Sequence, residues 1–310
     1  MKKENRAEFH SLLIGGRSEV RELFQSLFSE YRHNVSVVRQ TLMRTILLGV
    51  TGASSSGKST VAHLLTLILP QCQIIHEDDF FKPEKEVPFD DVRGDRDWDC
   101  PEAIDFDLLI QTLSVLKDDM AASENPRAVV KLSELGYYEY NVKSTEPPRD
   151  DANFRKSDDL IITLKNKVAT QICGGYDLEE CRIYLVDGFL LLHNKELLNL
   201  FDLTMFFKTN YRSLKSRREK RLYTVDGNVW VDPPGYFDKF VWPGYYEYHK
   251  DVFIQGEDEN LVKKTGGDLK LEFKRQYSIF EFTNNDDCDA DALLKDVVEV
   301  IMDHVFKLVP

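Results

Sequence analysis

Residues 52–59 read Gly-Ala-Ser-Ser-Ser-Gly-Lys-Ser and satisfy the pattern G-x-x-x-x-G-K-[ST] in full. Gly52 and Gly57 let the backbone curl, so that the amides around Ser54, Ser55, Ser56, Lys58, Ser59 and Thr60 turn inward toward phosphate oxygens. A helix opening near Lys58 adds its positive dipole end. The Lys58 ammonium suits β- and γ-phosphates, and the Ser59 hydroxyl is a hard oxygen ligand for Mg²⁺. A plain Ser/Gly turn is the bland alternative, but it has no need of a lysine here.

Carboxylates stand at two further points. His76-Glu77-Asp78-Asp79 closes one short apolar run, and Asp187 closes another that begins at Arg182. Phosphorylating an alcohol takes one carboxylate to accept the hydroxyl proton and another to hold Mg²⁺ or its waters. Asp78 suits the first role, and Ser59, Asp78 and Asp187 form the expected metal set. The competing reading makes these acids ordinary solvated strand ends.

A third feature is basic. Arg212, Lys215, Arg217, Arg218, Lys220 and Arg221 crowd one stretch. Lys215, Arg218 and Arg221 recur at i, i+3 spacing, which predicts one helical face. Guanidinium forks bind phosphate oxygens in pairs, so this reads as a lid over about 211–240 that closes on a transferring phosphate. Tyr223 and the aromatic, proline-bearing tract through Trp242 continue it. A localisation signal or a solvated helix face is the competing reading.

These groups need elements to hold them. Residues 45–50 (TILLGV) read as a buried strand before the glycine loop. Val61, Leu64, Leu65 and Ile68 follow it at helical spacing. Further strands are expected at 73–76, 182–187, 203–207 and 279–282, and helices at 101–116 and about 290–308. Strands alternating with helices predict an α/β fold, a doubly wound parallel sheet with helices on both faces. In such sheets ligands sit outside the carboxyl ends of the strands, where Asp78 and Asp187 fall. Residues 119–181 fit the rhythm poorly and read as an insertion of helix and mobile loop. Residues 1–44 read as an N-terminal extension whose Val20, Leu23, Phe24, Leu27, Phe28 and Tyr31 form an amphipathic stripe, leaving 45–310 as the main domain. Asp91-Val-Arg-Gly94 imitates the D-x-x-G of GTPases, but it lies in a polar loop and no N-K-x-D accompanies it.

The 310 residues carry a formal net charge of -13, which argues against nucleic acid or an anionic membrane as partner. Apolar residues make up 42 %, enough for an ordinary core. Cys72, Cys100, Cys173, Cys181 and Cys288 form no C-x-x-C pair, which points to a reducing, intracellular setting, the cytoplasm with the nucleus left open. Nothing here speaks to oligomeric state.

Taken together, the motifs resemble the nicotinamide riboside kinases, especially the fungal type. The resemblance rests on GASSSGKS (52–59), HEDDFFKP (76–83), DWDCPEAIDF (97–106), LVDGFLLL (185–192), KSRREKRLY (215–223) and WVDPPGYFDKFVWP (230–243), in that order over about 45–250. It implies transfer of phosphate from ATP to the 5′-hydroxyl of nicotinamide riboside, with nicotinic acid riboside as a second substrate, in NAD salvage. It implies Asp78 as general base, with Lys58 and Arg218 completing the catalytic set. Arg217, Arg221 and Tyr223 fall on lid positions near ATP. Asp78, Asp79, Phe80, Phe81, Trp98, Asp99, Arg218, Tyr223 and Asp232 fall around the nucleoside. Trp98 and Tyr223 are then expected to sandwich the pyridinium cation, and Asp99 to accept from the ribose diol. Two plainer roles stand beside these: Asp99 as a helix cap and Trp98 as a core aromatic. Animal members carry Glu where Asp187 stands, which shortens its reach to a metal. A uridine/cytidine-type kinase, another small-alcohol kinase, and a nucleotide-binding module without catalysis are the alternatives.

Overall fold

The computed structural model describes residues 44–91, 94–117, 131–132, 158–172, 181–221, 223–225 and 228–305. The stripe expected within 1–44 lies outside them, as do Pro147-Pro148 and Gly174-Gly175 of the expected insertion.

Five strands make the main sheet: β1 (Arg44–Thr51), β2 (Cys72–His76), β3 (Cys181–Gly188), β4 (Leu203–Lys208) and β5 (Ile279–Thr283). Their order is β2-β3-β1-β4-β5, and the pairing is parallel. The helices that concern the site are α1 (Lys58–Ile68), α2 (Phe106–Lys117), α3 (Asp158–Ile172), α4 (Tyr211–Arg218), α5 (Trp242–His249) and α6 (Ala290–Val305).

The strand sequences explain the two layers. Side chains alternate between faces. Ile46, Leu48 and Val50 of β1 join Val61, Leu65 and Ile68 of α1 and Val297, Val298 and Ile301 of α6 in one core. Leu47 turns the other way, with Val186, Phe206 and Leu109 and Leu113 of α2. Both faces are covered, so the central strands β1, β3 and β4 are largely apolar, as buried parallel strands require.

Two expectations need correction. The helix expected over 101–116 is split: Pro101–Ala103 is a single tight turn, and α2 starts only at Phe106. Ile104 is extended because it bridges Phe81, and the Asp105 amide donates to the Phe80 carbonyl at 2.8 Å. Asp105 then caps α2, its Oδ1 accepting from the Leu108 amide at 2.9 Å. The second concerns the insertion at 119–181. Its residues 158–172 form α3, whose Leu164 and Val168 are buried in the α1 and α6 core, so this part belongs to the sheet's own covering layer.

Candidate active site

The loop after β1 has the shape its glycines predict. Gly52 has φ +149°, and a Cβ there would stand 2.3 Å from the Phe207 carbonyl oxygen. Gly57 has φ +89°, and a Cβ there would stand 2.4 Å from Asn284 Nδ2. Asn284 is buried beyond β5 and donates to the Ser56 carbonyl at 2.7 Å, so it braces the loop from behind. Gly57 gives α1 no side-chain cap, which leaves the start of the helix open toward an anion. The hydroxyls of Ser55 and Ser56 are buried and have no protein partner. Lys58 is only 8 % exposed. Buried donors with nothing to bind fit a phosphate chain.

The register of β2 on β3 sets His76 directly opposite Asp187. His76 Nδ1 lies 3.3 Å from Asp187 Oδ2, and Ser59 also bonds this carboxylate. Burial raises the Asp187 pKa, but the His76 hydrogen bond, Lys58 and Ser59 together outweigh it and hold the carboxyl below its ordinary range. His76 moves the opposite way: burial lowers it, and Asp187, Asp79 and Asp78 lift it above normal. Asp187 Oδ1 is buried with no protein partner. Asp78 is exposed at the mouth, and Glu77, His76 and Asp99 all feel its charge. Asp79 is half-buried, its carboxyl raised chiefly by burial. Among the described residues no group of three or more His, Cys, Asp or Glu could hold a metal by itself. Mg²⁺ beside substrate phosphates keeps its waters and takes one or two carboxylates. Ser59, the orphaned Asp187 oxygen and Asp78 are hard donors of this kind.

Glu77 was legible only as part of an acidic run. It is fully buried, and Oε2 accepts from the amides of Phe189 at 2.7 Å and Leu190 at 3.1 Å. Burial pushes its carboxyl up to about 8, against those two amides and Lys58.

On the lid side, Arg218 at the end of α4 donates to Ser54 Oγ and to Asp232 Oδ2, each at 2.6 Å. Its guanidinium also lies 5.9 Å from the Tyr236 ring centroid. Arg217 donates to Asp286 at 2.9 Å, in the loop beyond β5. The basic run therefore divides, because α4 ends at Arg218 and leaves Arg221 outside the helix. Lys215 turns away to Asp238 at 2.6 Å. The expected single face of Lys215, Arg218 and Arg221 is not formed. Tyr223 pairs with Trp230 in a short hairpin of the lid, but its side chain lies outside the described residues. A pyridinium sandwich with Trp98 is thus left to test.

Trp98 meets Phe81 edge-on at 5.5 Å, and Phe81 faces Phe189 at 6.4 Å. Trp98 also packs on Val87, Cys100 and Ala103, so its core role is real. Phe80 is fully buried and contributes to the core under this wall. Asp99 does not cap the following turn, whose cap position is Cys100 with no side-chain bond. Instead Asp99 faces Arg218, Asp97, Asp232 and Asp78, and burial lifts its carboxyl to about 6. Tyr236, stacked on Phe240 at 4.7 Å, stands in the same group. Sequence reading overlooked Tyr236 as a pocket residue; its only signal was the lid's aromatic density.

A glycine loop between β1 and α1 of a parallel sheet, with acids at neighbouring strand ends and an arginine of α4 on the loop, defines a P-loop kinase. Residues 47–128 match the phosphoribulokinase / uridine kinase family. The chain belongs to the nicotinamide riboside kinase family. It is 33 % identical over 226 residues to the nicotinamide riboside kinase of Schizosaccharomyces pombe, covering 69 % of this chain and 83 % of that one. It is 33 % identical over 251 residues to that of Saccharomyces cerevisiae, covering 80 % and 91 %. Human nicotinamide riboside kinase 1 is 27 % identical over 244 residues, covering 76 % and 96 %.

Proposed function

We propose that this chain transfers the γ-phosphoryl group of ATP to the 5′-hydroxyl of nicotinamide riboside, giving nicotinamide mononucleotide in NAD salvage. Nicotinic acid riboside is its second acceptor. The observation that carries this reading is the convergence of Lys58, Asp78, Asp187 and Arg218 on one loop mouth, in a chain whose relatives bear that name.

Lys58 and the first amides of α1 hold the triphosphate, with the Ser55 and Ser56 hydroxyls beside them. Asp78 accepts the proton of the nucleoside 5′-hydroxyl as its oxygen bonds to the γ-phosphorus and the bond to the β-phosphate oxygen breaks. ADP departs as the leaving group. The transition state is loose, so positioning and charge stabilisation matter more than base strength. Arg218 supplies a planar cation over the loop, held in place by Asp232. Ser59, Asp187 and Asp78 would hold Mg²⁺, which would supply charge neutralisation at the phosphates. Asp99 accepts from the ribose diol, and Trp98, Phe81 and Tyr236 wall the base. Asp99 feels the charges of Asp97, Asp232 and Asp78 as well as Arg218, an acidic setting that suits a cationic base. Among the described residues no helix is long and apolar enough to cross a membrane. We place the protein in the cytoplasm or nucleus on its cysteine usage.

Mass spectrometry after incubation with ATP, Mg²⁺ and nicotinamide riboside tests the reaction. A panel with nicotinic acid riboside, uridine, cytidine and pantothenate, followed by ADP release, ranks the acceptors. Faster turnover of uridine or cytidine would move the chain to the pyrimidine kinases. ATP binding without any phosphorylated product would make it a binding module.

A further inference from the structure

We infer that Glu77 is a positioning residue: its buried carboxyl group clamps the turn that follows Asp187 and so fixes the spacing between Asp187 and Asp78. This rests on reading the 52–59 loop as a nucleotide cradle.

Glu77 is fully buried, an unusual place for a carboxylate without a cationic partner bonded to it. Its Oε2 takes both amides that open the turn after β3, Phe189 at 2.7 Å and Leu190 at 3.1 Å. Those amides would otherwise be orphans. In the chain, Glu77 directly precedes Asp78, while Phe189 lies two residues beyond Asp187. One side chain therefore ties the base strand end to the metal strand end. Backbone pairing of β2 with β3 stops at His76 opposite Asp187, so beyond that point Glu77 carries the connection.

Gly188 shows that the fit is specific. A Cβ there would stand 2.6 Å from Leu191 Cδ2, 2.7 Å from Glu77 Oε2 and 2.8 Å from Glu77 Cβ. The other carboxylate oxygen, Oε1, is buried with no partner, which is costly. A leucine would fill similar space without that cost. What leucine could not supply is Oε2, which holds the two amides. The clamped turn also carries Phe189, whose ring faces Phe81 at 6.4 Å, so the nucleoside wall shares the same anchor.

The test is calorimetric titration of the full chain with ADP, with and without Mg²⁺, alongside kcat and KM. Wild-type protein should bind ADP roughly 10-fold more tightly with the metal, a typical coupling. Glu77→Leu should lose most of that enhancement and about 10-fold or more in kcat, as loss of an outer-shell partner does. Its metal-free ADP affinity should stay put. Glu77→Gln, which keeps an acceptor oxygen, should restore most of the loss. Gly188→Ala displaces the carboxylate without removing it and should copy Glu77→Leu; it decides the matter if the leucine variant binds no ADP at all. An unchanged Mg²⁺ enhancement in Glu77→Leu and Gly188→Ala, or a glutamine variant as impaired as leucine, overturns the role of Glu77 alone. A wild-type chain that binds no ADP overturns the cradle itself.

Discussion

Arg218 and Ser54 are hydrogen-bonded, guanidinium Nη1 to hydroxyl Oγ at 2.6 Å, across 164 residues of sequence. The contact brings the end of α4 onto the phosphate loop, and Asp232 holds the same guanidinium at 2.6 Å. Arg218→Ala should lower kcat by roughly 10³-fold, in the range of arginines that meet transferring phosphoryl groups. Arg218→Lys should recover little, since a single ammonium cannot serve Ser54 and Asp232 in a planar fork. Steady-state kinetics with saturating ATP checks both. A lysine variant at wild-type kcat would contradict the planar-fork account.

Asp78 stands exposed at the mouth while Lys58 and Asp187 lie buried behind it. Asp78→Ala should cost about 10²–10⁴-fold in turnover, the usual worth of a general base. Nucleotide affinity should survive, because the loop amides and Lys58 remain. Single-turnover kinetics and ADP titration separate the two. Lost nucleotide binding with residual catalysis intact would contradict the assignment.

Asp99 gives a pH signature with two signs. Burial lifts its carboxyl to about 6, with Arg218 opposing. Below that value it is neutral and a weaker acceptor for the ribose diol, so KM for the nucleoside should rise as pH falls through about 6. Asp99→Asn should flatten this dependence and raise KM at neutral pH. Stability runs the other way. A carboxyl whose folded pKa is raised contributes stability below its unfolded value and loses it as pH rises through about 6. Asp99→Asn should therefore raise the Tm at neutral pH. A KM that is flat from pH 5 to 7 in the wild-type chain would remove Asp99 from the ribose contact.

Asn284 braces the phosphate loop through the Ser56 carbonyl at 2.7 Å. Removing the donor from this buried pair leaves an unsatisfied carbonyl and a gap under Gly57. Asn284→Ala should weaken ATP binding about 10-fold, with the nucleoside KM little changed. Titration with ADP and nucleoside kinetics would show the split. Equal losses in both would point to general unfolding.

His249 supplies an acid weakness away from the chemistry. It is 1 % exposed, bonds the Tyr245 carbonyl at 2.8 Å, and has no partner at Nε2. Burial lowers its pKa to about 4, and His193 adds to this. A depressed histidine gives stability that is present above its unfolded value near 6.5 and is lost as pH falls toward 4. The loss should reach on the order of 3 kcal/mol. His249→Phe should show a smaller fall in Tm between pH 7 and 5 than the wild-type chain.

Local chemistry made much of this protein legible before any coordinates. The 52–59 motif fixed its own backbone, since only glycine suits φ +149° at Gly52 and φ +89° at Gly57 beside close neighbours. The five expected strands formed, and the central ones read most plainly because burial on both faces leaves no polar alternation to confuse the reading. Asp187 could be placed at a strand end by the same argument. What sequence spacing could not decide were relations between distant segments. The His76–Asp187 pairing depends on strand register. The division of the basic run depends on where α4 stops, and on Asp232 and Asp238, which pull Arg218 and Lys215 in different directions. Asp99 looked like a cap by spacing, but the bridge from Phe81 to Ile104 broke that helix and left Asp99 facing the pocket. Glu77 read as one more solvated acid, since burial is a property of the sheet and not of a residue's neighbours in sequence. Backbone conformation and hydrophobic period are short-range and were written in the chain; partners, burial and charge environment are long-range and came only with the folded sheet.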